Sequence, residues 1–248
     1  MRYFLMFFLL LLSYFAFAVS PNSAQNVINI KVVTEDTFPL QYVENNKVLG
    51  PATELVEQVL LAAEVNYNIE VLPWARAYHL ALTEPNVLIY SLAKTAVRAN
   101  KFKWVGRIIA LDYYLYGSAD SNINSQTTLD ELKKYRIGTV RDSAVFQYLQ
   151  KNGFNQLTTV VKGRQNVSLF QQNRIDFFPA NKSSFQAICQ QESFDCNGLE
   201  PLYKLDISAV DLYIAFSLLT DDIIVEKVRV AYQQVMEKRK NLHDIGIN

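Results

Sequence analysis

Residues 28–93 run INIKVVTEDTFPLQYVENNKVLGPATELVEQVLLAAEVNYNIEVLPWARAYHLALTEPNVLIYSLA, and their alternation of β-branched runs with helical patterns decides the fold class. INIKVVT (28–34), NYNIEVL (66–72) and NVLIYSLA (86–93) are strand-like, whereas GPATELVEQVLLAAEV (50–65) and WARAYHLALT (74–83) space their apolar residues as helices do. The order is βαβαβ, which predicts an α/β architecture with a largely parallel sheet. PLQYVENNKVLG (39–50) interrupts it as a tight, hairpin-like excursion around Asn45 and Asn46.

A second series of the same kind begins near Tyr113. TLDELKKY (128–135) opens with Thr128 and Glu131 at capping-box spacing, and RIGTV (136–140) follows as a strand. SAVFQYLQKNG (143–153) is a helix closed by Gly153, and QLTTVV (156–161) is a strand. RQNVSLFQQN (164–173) is helical and RIDFFPA (174–180) extended; LYIAFSLL (212–219) adds a strand. A long helix over 220–240 ends the series, with Thr220 the expected N-cap and Ile224, Val228 and Val235 on one face. The repeated plan predicts two α/β lobes.

The first 18 residues, MRYFLMFFLLLLSYFAFA, hold one cation at Arg2, an apolar stretch and a small-x-small ending at Ala16 and Ala18. This is the pattern of a signal peptide cut after Ala18. A retained anchor is the alternative, but Tyr3 to Phe17 is shorter than the roughly 20 residues a span needs. The expected location is the periplasm. Export favours a disulfide between Cys189 and Cys196, which flank a short loop, over two buried free thiols. The 248 residues carry 24 basic and 24 acidic side chains, which argues against a nucleic-acid surface. His79 and His243, the only histidines, sit in no metal-ligand spacing, and no phosphate loop or nucleophile elbow is present. Neither a cofactor nor a metal is expected.

Taken together, VVTEDTFPLQYVENNKVLGPATELVEQVL, PWARAYHLAL, SLAKTAVRANKFKWVGR, LDELKKYRIGTVRDSAVFQYL and NRIDFFPANKS resemble the bacterial periplasmic solute-binding proteins of the polar-amino-acid type, family three, over residues 28–240. The resemblance implies the type II two-lobed fold, each lobe a mostly parallel sheet flanked by helices, joined by two crossing strands with a ligand clamped between. The crossings are expected near 109–114 and 207–212, which makes 19–110 with 212–248 one lobe and 111–211 the other.

It also implies a site. In SLAKTAVR, Thr95 and Arg98 match a motif that begins a short helix beside the cleft, and Arg98 matches the arginine that grips a ligand carboxylate; a guanidinium fork suits two carboxylate oxygens. Ser91, in the same segment, is expected at the ligand. Trp74 matches an aromatic wall position, with a plain core residue as the alternative, and Arg76 is either a second anionic contact or a surface ion pair. Arg141 and Ser143 occupy the second lobe's strand-to-helix turn, which completes the carboxylate site in that family. Asn181 stands where amino-acid binders carry an aspartate for the ligand's ammonium group. An amide cannot neutralise a buried ammonium, so a small carboxylate or other anionic or polar solute is expected unless Glu35, Asp36 or Asp211 supplies the charge.

The expected function is that of an exported, monomeric carrier handing a small-molecule solute to an inner-membrane permease. A sensory module reporting to a membrane receptor is the alternative. A dehydratase using Glu35 as general acid is a third reading on the same fold, and the expectation is that the chain is not an enzyme.

Overall fold

The computed structural model describes residues 29–191, 194–207 and 211–244; the expected signal peptide lies outside them. Strand β1 (Asn29–Thr34) is followed by the hairpin β2 (Tyr42–Glu44) and β3 (Lys47–Leu49), helix α1 (Pro51–Ala62), β4 (Asn66–Val71), α2 (Trp74–Thr83) and β5 (Val87–Ala93). Next come β6 (Phe102–Ile109), and far along the chain β12 (Leu212–Ser217) and α6 (Asp222–Asp244). Apart from β2 and β3, which pair only with each other, these strands form one sheet in the order β4-β1-β5-β12-β6. As the βαβαβ pattern predicts, β1 runs parallel to both β4 and β5. β12 returns antiparallel to β5 and β6.

Strand alternation divides the core between the two faces of this sheet. Val32, Leu88 and Tyr90 belong to the cluster that includes Leu55, Val56, Val59 and Leu60 of α1 and Val225 and Val228 of α6. Val33 and Ile89, one residue on, join Trp74, Ala77, Tyr78 and Ala81 of α2. Covered on both faces, β5 is buried at all seven positions, which is why its sequence is a nearly unbroken apolar run. Gly50 starts α1 at φ 108°, and a Cβ there would run into the main chain at Leu40; the hairpin can lie against the helix start only because this residue is glycine.

The middle of the chain builds a second group: β7 (Tyr114–Ser118), a 3-10 turn (Asp130–Lys134), β8 (Ile137–Val140), α3 (Ala144–Lys151), β9 (Leu157–Val160), α4 (Gln165–Gln171), β10 (Phe178–Ala180), α5 (Lys182–Gln191) and β11 (Leu199–Lys204). β8 and β9 pair in parallel, and β8 bridges in parallel to Phe177 at the entry to β10. β7 is antiparallel to both β10 and β11. The chain thus leaves the five-stranded sheet after Ile109 and returns to it at Leu212.

Three local expectations change. The Thr128–Glu131 capping box forms, with the Thr128 N–H donating to Glu131 Oε2 at 2.7 Å, but it opens a 3-10 turn and no α-helix. Those hydrogen bonds from Thr128 hold the Glu131 carboxyl below its ordinary range. Asp221, not Thr220, caps α6: its Oδ1 accepts the Ile223 N–H at 2.7 Å, while buried Thr220 accepts the Asn86 N–H at 3.0 Å and so ties the helix start to β5. The turn after Lys94 is closed by Arg98 N–H and Ala99 N–H to the Thr95 carbonyl, both at 2.9 Å, and does not extend into the expected short helix. Cys189 and Cys196 are joined in a disulfide at the end of α5.

Candidate ligand-binding site

A cavity of about 310 Å³ opens where the carboxyl ends of β1 and β5 face the second group of strands. This is where α/β sheets commonly hold ligands. Glu35, Asp36 and Phe38 enter it directly after β1, and Tyr42 reaches it from the hairpin. Tyr113, Thr139, Ser143, Lys162, Phe178 and Asn181 supply the opposite wall.

Arg98 lies at the heart of the near wall, 0 % exposed. Its Nη2 donates to the Asp142 carbonyl at 2.9 Å and its Nη1 to the Ala93 carbonyl at 3.4 Å. The guanidinium sits over the rings of Tyr78 and Trp74, 4.8 and 5.3 Å from their centroids. Its Nε, also buried, has no hydrogen-bond partner among the described residues. Burial pulls the Arg98 pKa below the ordinary arginine value, against Tyr78, Glu35 and Asp142, which favour the charged form. An unpaired buried donor beside an intact positive charge is unfavourable unless something accepts from it.

Trp74 lies both in the core and at the cavity. It belongs to the α2 core cluster and stacks on Tyr78 at 5.8 Å, and it also lines the cavity and donates from Nε1 to the Asp142 carbonyl at 3.0 Å. Ser91 lies where Tyr90 and Ser91 of β5 face Ile214 of β12, a bulge that gives Ser91 a φ of 57° and turns it to the cavity. Its hydroxyl donates to Gln41 Oε1 at 2.8 Å.

Among the described residues, Glu35 is the carboxyl most perturbed by burial. Burial raises its pKa to about 7, with the charge of Asp36 adding and Arg98 and Thr37 opposing. Across the cavity, burial first and the charge of Glu35 second push Tyr113 up to about 12, while its hydrogen bond to Asn181 works the other way.

Six of the eight expected residues therefore share the cavity: Glu35, Trp74, Ser91, Arg98, Ser143 and Asn181. Arg76 and Arg141 do not line it; both are exposed. The reason at Arg76 is helical geometry, since a residue two positions after Trp74 points about 200° away around the helix. Ser143 and Asn181 carry structural duties as well. Ser143 Oγ caps α3 by accepting the Phe146 N–H at 3.1 Å. Asn181 Oδ1 accepts from Ser184 N–H at 2.9 Å and Ser183 Oγ at 2.7 Å, which occupies both lone pairs in capping α5. Sequence reasoning passed over Tyr113 and Lys162, which no motif marks, and Phe178, which lies within the quoted NRIDFFPANKS but was not singled out; the Lys162 ammonium pairs with Asp36 at 3.1 Å. The side chain of His243 lies outside the described residues, and His79 is exposed on α2.

No protein-family model matches the chain, and no curated protein does. Solved structures do. A histidine kinase sensor domain with similarity to periplasmic binding proteins superposes with a TM-score of 0.75 at 14% identity, covering 86% of this chain and 92% of its own. The chain has the two-lobed periplasmic-binding-protein fold. An ancestral arginine-binding protein bound to arginine (TM-score 0.70, 15% identity, 84% and 92% covered) and the substrate-binding protein of an amino acid ABC transporter (0.70, 14%, 85% and 94%) share it. In a binding-protein fold, a cavity bordered by residues of both strand groups is the cleft between lobes. These neighbours are binding proteins and a sensor domain, not enzymes. The disulfide, like the fold, is consistent with an extracytoplasmic location.

Proposed function

We propose that this chain is an exported solute-binding protein that closes its two lobes, 19–110 with 212–248 and 111–211, on a small anionic or polar solute, amino-acid-like or a carboxylate. One observation carries the reading: a buried, positively charged Arg98 borders the cleft with an Nε that no described residue satisfies. Trp74 covers the apolar part of the solute, and Ser91 and Ser143 border it from opposite walls. With both Asn181 lone pairs engaged in capping, the family's usual ammonium acceptor is missing at that position, which favours solutes lacking an α-amine. The partner is an inner-membrane permease. A membrane receptor is the second reading, favoured by the likeness to a histidine kinase sensor domain.

The test is a thermal-unfolding screen of residues 19–248, stripped of bound solute by denaturation and refolding, against amino acids, small carboxylates, amines and sugars. A solute at a hundredfold over its Kd stabilises by about 2.7 kcal/mol, a shift of several degrees. Hits among carboxylates without an amine are expected. Hits confined to α-amino acids would overturn the solute class, and silence across the panel would overturn the carrier reading.

A further inference from the structure

Asp142 sits in the turn between β8 and α3, in the second group of strands, whereas Arg98 and Trp74 belong to the five-stranded side. Its main-chain oxygen accepts from Trp74 Nε1 at 3.0 Å and from Arg98 Nη2 at 2.9 Å. A carbonyl oxygen has two lone pairs, so these two donors saturate it. The residue holds a φ of 58°, a left-handed conformation uncommon for a side-chain-bearing residue. Strain of this kind persists where the surroundings hold it and clusters at clamps and switches. Both donors come from the five-stranded side, and both are nearly or fully buried, with Trp74 4 % and Arg98 0 % exposed. At the mouth of the same cleft, Lys162 pairs with Asp36 at 3.1 Å.

We propose that the Asp142 carbonyl is a latch: an oxygen of the second lobe seated between Arg98 and Trp74 of the first, so that the protein's own main chain sets how readily the cleft opens. The inference rests on the two-lobed solute-binding reading and adds regulation to it. The latch draws on the same guanidinium that is proposed to hold a solute's anionic group. A charged acceptor bonds an arginine more strongly than a neutral carbonyl does. An anion taken by the unpaired Nε shares the guanidinium with the Asp142 oxygen on Nη2, and the strength of the latch tunes affinity without touching the solute. Any change that weakens the latch lowers the occupancy of the closed form, on which a permease or receptor acts.

The latch is made of main chain, so it is tested through backbone conformation. Spin labels at Glu54→Cys on α1 and Lys151→Cys on α3, both exposed positions, report the distance between lobes beside the intact Cys189–Cys196 disulfide. Asp142→Val places a β-branched residue at positive φ, which it resists, and turns the carbonyl away. Asp142→Gly and Asp142→Asn tolerate that φ and keep the carbonyl in place. In solute-free protein, the valine variant is expected to shift the inter-label distances to longer and broader values, with the glycine and asparagine variants matching the parent. Trp74→Phe, which removes one donor and keeps an aromatic ring, is expected to shift them in the same direction. Identical distances in the parent, Asp142→Val and Trp74→Phe would overturn the latch. So would opening by Asp142→Asn, which would assign the effect to the side-chain charge. Neither result bears on whether a solute binds, which the thermal screen decides separately.

Discussion

At the scale of single residues, the cleft brings together two groups that burial disfavours in opposite ways. Arg98 is held charged by aromatic faces and carbonyls, whereas Glu35 is pushed toward its neutral form, with a pKa of about 7 in place of 4.5. Between those two values the folded protein binds more protons than the unfolded chain, so stability falls as pH rises through that window. A shift of this size corresponds to about 3 kcal/mol lost by the time pH exceeds the folded value. Glu35→Gln is expected to remove most of that slope, and urea unfolding at pH 4.5 and above pH 7 would reveal it; an unchanged slope would place Glu35 in contact with water. Arg98→Ala is expected to weaken solute binding by about 2–5 kcal/mol, the range for truncating one partner of a buried charged contact. Calorimetry with the best solute of the screen measures it, with Lys134→Ala on the exposed surface as the control. Arg98 and Trp74 stood out in the sequence through their resemblance to the motif positions of the solute-binding family, and the structure brings both, with Glu35, to the cavity. Arg76, read as either an anionic contact or a surface pair, and Arg141 lie exposed outside the cavity, because an arginine near a motif is placed by the angle of its element, which residue type does not encode.

At the scale of elements, α6 is seated on the sheet by one contact that tolerates no enlargement. Gly106 of β6 lies under the ring of Tyr232, whose hydroxyl donates to the Arg107 carbonyl at 2.6 Å. Gly106→Ala puts a methyl group into that ring, and overpacking of this kind costs about 1–3 kcal/mol. Denaturant unfolding followed by circular dichroism is expected to show a lower midpoint with an unchanged slope. Elements with strong periodicity, such as α1, β5 and α6, were read correctly from their apolar spacing. β11 escaped notice because it carries Pro201 and alternates weakly; it occupies a sheet edge, where proline is tolerated, and bulges beside that residue. α5, with few apolar residues, declares itself only through its Asn181 cap.

At the scale of the whole molecule, the two strand groups meet across the cleft through contacts of unequal weight. The Lys162–Asp36 pair is partly exposed, 43 % at Lys162 and 31 % at Asp36, and is screened by water and salt. Lys162→Met is accordingly expected to change stability by less than about 1 kcal/mol, and less still in high salt. A larger loss in urea titrations at low and high ionic strength would mean that this pair, and not the buried contacts at Asp142, holds the lobes together. At Asp142 both donors are buried, Trp74 at 4 % and Arg98 at 0 % exposed, so solvent competes less for these bonds, and the opening of the cleft should depend on two donors and one oxygen.

Apolar spacing was enough to predict the α/β alternation, whereas the return of the last segment to the first lobe and the places of Arg98 and Trp74 beside a cleft were expected from the resemblance to the solute-binding family. The alternation follows from the spacing of apolar residues, which is a property of side chains alone. Only the tertiary structure decided that Arg98 spends two of its nitrogens on the carbonyls of Ala93 and Asp142, that Asn181 serves a helix cap, and that Ser91 turns inward at a bulge. Every residue carries the same main-chain carbonyl, so an acceptor that acts through its backbone leaves no mark in the sequence until the chain has folded and brought it to its donor.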